Sequence, residues 1–291
     1  MTIESMLRIN NLRTSASDII EKLENISEND IYRIALKVQM DLFLSETLRY
    51  LFNHKIWSSA KTVLDLGCGP GDLLSYLAKY FPNKLYTGVD INESFIKIAK
   101  KQTNALKNCE FICNDLYNFS DGNYDVIILR AVLQHLKNPV RLLHQLRELL
   151  KDNSVVIFND TPDENFVNSI PKILTFDNFY NQLEVMQKEG GGNRNCLVDL
   201  ANNLASHNFT LIEAIDQIIP ITTEENKLKI IQYLILGCAV AKKMLSIRME
   251  LKDLFNDLIK WYDSNPSYIQ IKTKWMVIKP IETIETSEVT T

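Results

Sequence analysis

The stretch that most constrains the fold of this chain is VLDLGCGPGDLL, Val63 to Leu74. A short apolar run enters a turn holding Gly67, Gly69 and Gly71, and a second apolar run resumes after Asp72. That order reads as strand, tight turn, helix. Glycines at alternate positions let the backbone take conformations closed to other residues and let a ligand approach it closely. A helix that starts there turns its unpaired N–H groups toward whatever the turn holds.

From Lys61 onward, short apolar runs alternate with helical ones. The strands read as TVLDLG (62–67), KLYTGVD (84–90), CEFICND (109–115), YDVIILR (124–130) and SVVIFND (154–160). Helical stretches lie between them: GDLLSYLAKYF (71–81), NESFIKIAKKQT (92–103) and PVRLLHQLRELLK (139–151). This alternation predicts a parallel, doubly wound α/β sheet covered on both faces, with ligands past the carboxyl ends of its strands. Two further strands, FTLIEAIDQII (209–219) and IQIKTKWMVIKP (269–280), bring the count to seven. Helices are expected over 177–189, 196–208 and, as one or two segments, 223–263. Residues 1–59 read as helical, with Asp30 the expected N-cap of the long segment 30–52. The expected organisation is an N-terminal helical lid or cap over 1–59, a sheet domain over 60–280 with a helical insertion at 223–263, and a polar flexible tail at 281–291.

Three ligand classes suit a glycine turn after a strand. A triphosphate loop needs GxxxxGK[ST], and no lysine follows Gly71. A dinucleotide turn needs GxGxxG; here Asp72 stands at the third position, where it would repel a pyrophosphate. The third class carries no phosphate.

The pattern Asp65-x-Gly67-x-Gly69-x-Gly71 resembles motif I of the class I S-adenosylmethionine-dependent methyltransferases. An acid ends strand 2 in GVD (88–90), another follows strand 3 in ND (114–115), and strand 4 begins YDVI (124–127). The resemblance runs from Lys61 to Asp160 and more loosely to Pro280. It implies a Rossmann-like, mostly parallel seven-stranded sheet whose last strand is antiparallel, with S-adenosyl-L-methionine as cofactor. It also implies roles for residues. Gly67, Cys68, Gly69 and Gly71 would cradle the methionine end, with Asp65 supplying negative charge near its ammonium and the Arg130 backbone carbonyl accepting one of its protons. Asp90 would accept the ribose hydroxyls, Ile91 would lie on the adenine face, and Asp115 with the Leu116 N–H would read the adenine edge.

The segment after strand 4, RAVLQHLKNPVRLLHQLRELLK (130–151), is similar to that of enzymes acting on small natural products, quinones and sterols. It lacks the [ND]PP[YF] sequence of enzymes that methylate exocyclic amines, and the cysteine of RNA cytosine enzymes. The expected reaction is in-line transfer of a methyl group to an O, N or C atom of a small metabolite, in natural-product or other specialised metabolism. The alternatives are a protein or RNA methyltransferase, or a non-methylating protein that keeps the fold. His135, just after strand 4, is the candidate general base. Tyr32 is a candidate lid residue. Arg194 is a candidate acceptor contact, in GGGNR (190–194), a loop similar to one in several of these enzymes.

The net charge of −4 and the absence of a long basic run give no sign of a nucleic-acid partner. No apolar run approaches the ~20 residues that span a bilayer, and no leader precedes the first helix, so a cytoplasmic setting is expected. Five scattered cysteines without a CxxC read as reduced thiols. Cys109 and Cys113 fall on a strand far from any histidine, so no metal is expected. The N-terminal helices suit a homodimer contact as well as a lid.

Overall fold

The computed structural model describes residues 2–161, 166–245, 247–264 and 267–281. Five helices open the chain: α1 (Ile3–Met6), α2 (Ile9–Thr14), α3 (Ala16–Asn25), α4 (Glu28–Asn53) and α5 (Lys55–Ser59). Ser27 caps α4, its hydroxyl accepting the Asp30 N–H at 3.1 Å, so the cap lies three residues before the expected Asp30. Ser27 offers the short side-chain oxygen outside the helix that a cap requires, while Asp30 already lies in the first turn.

The alternating segment follows as β1 (Thr62–Leu66), α6 (Asp72–Tyr80), β2 (Leu85–Asp90), α7 (Glu93–Gln102), β3 (Cys109–Cys113), β4 (Tyr124–Arg130), α8 (Leu142–Leu149) and β5 (Leu150–Asp160). Then come β6 (Val167–Ile170), α9 (Leu174–Glu189), α10 (Cys196–Asn203) and β7 (Phe209–Ile221). The insertion is two helices, α11 (Glu224–Leu245) and α12 (Leu251–Asp263), before β8 (Tyr268–Pro280).

The sheet has eight strands rather than seven, ordered β3-β2-β1-β4-β5-β8-β6, with β7 on the other side of β8. The additional strand is β6, four residues that pair with the start of β8 while β5 pairs with its end. The strands β1 to β5 are mutually parallel, and β8 runs antiparallel to β5, β6 and β7. The expected antiparallel last strand is therefore present. Of the expected tail, residues 282–291 lie outside the described residues.

Period-two alternation explains the two covered faces. Leu64, Leu66, Ile127, Leu129, Val156 and Phe158 pack on one side with α8 and α10. Val63, Val126, Ile128, Val155 and Ile157 pack on the other with α6, α7 and Trp57 of α5. A third core joins the N-terminal helices to the insertion: Ile31, Ile34 and Leu42 of α4 share it with Ile230, Ile235, Phe255 and Trp261. The apolar stripe of α4 is thus covered within the chain, and its other side is left to face the carboxyl ends of the strands. Among the described residues no helix is long and apolar enough to cross a membrane.

Candidate functional site

A cavity of about 780 Å³ opens past the carboxyl ends of β1, β2, β4 and β5, within the range of ~300–1,000 Å³ typical of small-molecule sites. Its floor is the glycine turn. Gly67, Gly69 and Gly71 all have positive φ, at 81°, 55° and 79°, a region costly for other residues. A Cβ on Gly67 would fall 2.4 Å from Val132 Cγ2, so the loop after β4 can lie against the turn only because the side chain is missing. The Gly67 and Cys68 N–H groups donate to the Val89 carbonyl at 2.8 and 3.0 Å, tying the turn to β2.

Asp90 completes that tie. One carboxylate oxygen accepts the Gly69 N–H and the other accepts the Asn92 N–H, both at 2.8 Å. Each oxygen keeps a lone pair for the cavity. Ile91, next in sequence, is 72% exposed and lines the cavity, an apolar surface suited to a flat aromatic ligand. Asp115 and Leu116 line the same end; one Asp115 oxygen accepts the Tyr117 N–H at 2.9 Å. Asp115 therefore does the local capping, and Asn114 beside it only lines the wall.

Asp65 and Gly71 do not reach the cavity surface. Asp65 is 4% exposed beneath the glycine turn, and its carboxylate makes no hydrogen bond among the described residues. Burial pushes its pKa up to about 7, with Arg130 pulling it down and Asp90 adding to the rise. Cys68 does line the cavity; burial, then the Asp65 and Asp90 carboxylates, hold its thiol protonated. The Arg130 side chain lines the wall and donates to Thr47 Oγ1 at 3.3 Å and to Met40 Sδ at 3.2 Å, both on α4.

Helix α4 forms one side of the cavity. Tyr32 stands near Asp90, and burial followed by that carboxylate raises its pKa. Its ring lies 5.5 Å from that of Phe95. Leu36 comes to 3.7 Å from where a Gly69 Cβ would be. Further along, Phe43, Glu46 and Thr47 line the cavity with Gln217, Ile219, Thr273 and Trp275, where the Gln217 amide donates to Glu46 Oε2 and accepts from the Trp275 indole N–H, both at 2.7 Å. Gln217, Ile219, Thr273 and Trp275, from β7 and β8, carry no motif and were not anticipated from sequence.

His135 lies on the cavity wall in a 3-10 turn, Leu133–His135. Its ring shows surface to the cavity, yet the enclosing protein and the Arg194 cation lower its pKa to about 4, so the imidazole is neutral at physiological pH. Arg194 itself is not on the wall. It is 8% exposed, hydrogen-bonded to Gln187 Oε1 and to the Tyr180 hydroxyl, and stacked on the Tyr180 ring at 4.4 Å. The expected acceptor contact at Arg194 is therefore corrected: its guanidinium is used in packing behind the wall. Gly192 and Asn193 of the same loop meet the His135 turn, the Asn193 N–H donating to the Gln134 carbonyl at 3.2 Å.

The wall fits S-adenosylmethionine. It offers a glycine cradle at a helix start, a carboxylate pinned for hydroxyls at Asp90, and an exposed apolar side chain for a purine at Ile91. Among the described residues no group of three metal-ligating side chains stands together.

Comparison with known proteins agrees with this geometry. A family model described as a methyltransferase domain matches residues 58–227, more than half of the chain. A malonyl-[acyl-carrier protein] O-methyltransferase of Halalkalibacterium halodurans is 32% identical over 111 residues, 36% of this chain and 41% of that protein. A ubiquinone biosynthesis O-methyltransferase of Coxiella burnetii is 30% identical over 139 residues, 47% of this chain and 58% of that one. The matches thus span about two fifths to three fifths of these curated relatives. Among solved structures, the plantazolicin methyltransferase BpumL in complex with SAH is 19% identical, covering 89% of this chain and 98% of that one at a TM-score of 0.47. The match of the family model to the glycine turn and the strands around it settles the question the cavity raises: the chain belongs to the class I S-adenosylmethionine-dependent methyltransferases, and its cofactor is S-adenosyl-L-methionine.

Proposed function

We propose that this protein methylates an oxygen atom of a small metabolite, in natural-product or other specialised metabolism. The observation that carries the reading is the extent of the cavity. It continues from the glycine turn past Arg130 to Phe43, Glu46, Gln217 and Trp275, beyond the part suited to the cofactor. That far end mixes aromatic and polar walls, as an acceptor of moderate size requires. The preference for oxygen rests on the relatives, which are named as O-methyltransferases.

In the proposed complex Asp90 holds the ribose hydroxyls, Ile91 supports the adenine, and Asp115 with the Leu116 N–H reads its edge. The bound cofactor supplies a methyl group already activated on a sulfonium. The protein's share is to align the acceptor and exclude water. Helix α4, with Tyr32, serves as the lid. His135, neutral and on the wall, accepts a hydrogen bond from the acceptor hydroxyl and orients it. With a pKa of about 4 it is a weak base, which suits an acidic acceptor hydroxyl.

The test is transfer of labelled methyl from S-adenosylmethionine into a cell extract, separated into small molecules, RNA and protein. Label in a small-molecule product whose fragments show an O-methyl group is expected. Label confined to RNA or protein, or no label from protein that binds the cofactor, would overturn the reading.

A further inference from the structure

At the far end of the cavity a chain of hydrogen bonds has only one possible direction. The Trp275 indole can only donate, and it donates to Gln217 Oε1 at 2.7 Å. That bond decides which end of the Gln217 amide is oxygen. Its Nε2 therefore turns to α4, where it donates to Glu46 Oε2 at 2.7 Å. A flipped amide would set two N–H groups together and an oxygen against a carboxylate. The same Glu46 oxygen accepts from Nε of the exposed Arg49 side chain at 3.1 Å.

Helix and sheet hold this chain in place. Ile215 pairs with Trp275 and Gln217 with Thr273, so Gln217 and Trp275 are diagonal neighbours on one face of β7 and β8. Glu46 and Tyr50 lie one turn apart on α4 and share a face. Tyr50 donates to Glu213 Oε2 at 2.6 Å, and its ring stacks on that of Trp275 at 4.0 Å and 19°. Two polar positions are left over. Gln217 Nε2 carries a second N–H and Glu46 a second oxygen. Neither has a hydrogen-bond partner among the described residues, and both side chains line the cavity. A ligand group that meets both must accept one hydrogen bond and donate another. A hydroxyl or a carboxamide does so. A ketone leaves Glu46 unmet, and an ionised carboxylate brings its charge against it. Phe43 and Ile219, on the same stretch of wall, suit an apolar frame around that group.

We propose that Glu46 and Gln217 form the subsite that selects the methyl acceptor, through a neutral group that both donates and accepts a hydrogen bond, a hydroxyl or a carboxamide on an apolar frame. Trp275 is a positioning residue that sets the direction of the Gln217 amide. Acceptors that are anionic at this end are selected against. This inference rests on the proposed function, which makes the far end of the cavity the acceptor's place.

Nitrogen-15 spectra of the protein saturated with S-adenosylhomocysteine test it without any methyl transfer. The chain has three tryptophans, and Trp275→Phe identifies the Trp275 indole signal. Benzamide and benzyl alcohol are expected to move that signal along saturable curves. Tighter binding of benzamide assigns a carboxamide and of benzyl alcohol a hydroxyl, and either supports the subsite. Acetophenone, which lacks the donor, and benzoate, which adds a charge, should bind at least about tenfold more weakly than benzamide. Glu46→Gln keeps the shape and removes the charge, so benzoate should come within about threefold of benzamide. Gln217→Met should weaken benzamide about tenfold with S-adenosylhomocysteine affinity unchanged. Each variant serves if the other does not fold. Equal binding of benzoate and benzamide by the unaltered protein, or no movement of the Trp275 signal with either neutral probe, would overturn the subsite even where a small-molecule O-methyl product forms. The expected binding, with methyl label confined to RNA or protein, would uphold the subsite's chemistry and overturn the small-metabolite reading instead.

Discussion

Asp160, the last residue of β5, accepts the Leu133 backbone N–H at 3.0 Å and so holds the turn that carries His135. Its carboxylate is 3% exposed and its other oxygen accepts the Thr161 N–H at 3.3 Å. The strand end therefore sets where the imidazole stands. Asp160→Ala leaves the Leu133 N–H buried and unpaired, a loss of about 1–3 kcal/mol. The expected result is a lower urea midpoint together with a reduced kcat, while the cofactor Kd stays near its original value. Loss of cofactor binding to the same extent would show that the residue supports the whole cavity instead.

The neutrality of His135 has a pH signature. His135 is exposed to the cavity, and the protein enclosing that cavity, with the Arg194 cation, lowers its pKa to about 4, so it carries little charge over the range where an ordinary imidazole titrates. The rate profile should show no inflection near pH 6.5 from this group. Stability moves in the linked direction. Between pH 6.5 and 4 the unfolded chain takes up a proton that the folded one refuses, so the contribution present above pH 6.5 is lost on acidification. His135→Asn should remove that part of the acid sensitivity and lower turnover, with S-adenosylhomocysteine binding unchanged. A thermal-melt series from pH 4 to 7 on both proteins checks it.

The parts of this molecule legible in its sequence are those fixed by local chemistry. The glycine turn, the strand-end acid Asp90 and the strands β1 to β5 carry their signals within a few residues. Strand β6 does not: VNSI has no apolar alternation, and it exists because β8 offers it a partner edge. The far wall is hidden for a similar reason. Glu46, Gln217, Thr273 and Trp275 come from three elements and meet only through the pairing of β7 with β8 and the crossing of α4. Arg194 was misplaced because a basic residue after a glycine loop reads the same whether its charge faces a ligand or stacks on Tyr180.

Asp65 gives a prediction of opposite sign from the usual carboxylate. Burial raises its pKa from 3.8 to about 7, so the folded chain holds a proton that the unfolded chain has already released. Stability should therefore fall as pH rises from about 4 to 7. The displacement sets a ceiling of about 4 kcal/mol at pH 8. Asp65→Asn should raise the melting temperature of the ligand-free protein at pH 8, change it little at pH 4, and weaken cofactor binding. A lower melting temperature at pH 8 would show that the ionised carboxylate is well matched in the fold.

The contact between Gly67 and Val132 can be measured as a coupling. Gly67→Ala places a methyl group 2.4 Å from Val132 Cγ2 and holds an alanine at φ 81°. The left-handed conformation costs about 1–2 kcal/mol, and the overlap adds about 1–3 kcal/mol. Val132→Ala alone should cost about 1–3 kcal/mol by opening a small cavity in a buried cluster. In the double variant the overlapping methyl groups are gone, and the nearest remaining Val132 atom is Cβ at 3.5 Å, an ordinary contact. The backbone strain at position 67 persists. The double variant should therefore be less destabilised than the sum of the two single ones by at least ~1 kcal/mol, without returning to the original stability. Urea denaturation of the four proteins gives the cycle. Additive losses would mean that the β4 loop moves away freely, and that Gly67 is required for its conformation alone.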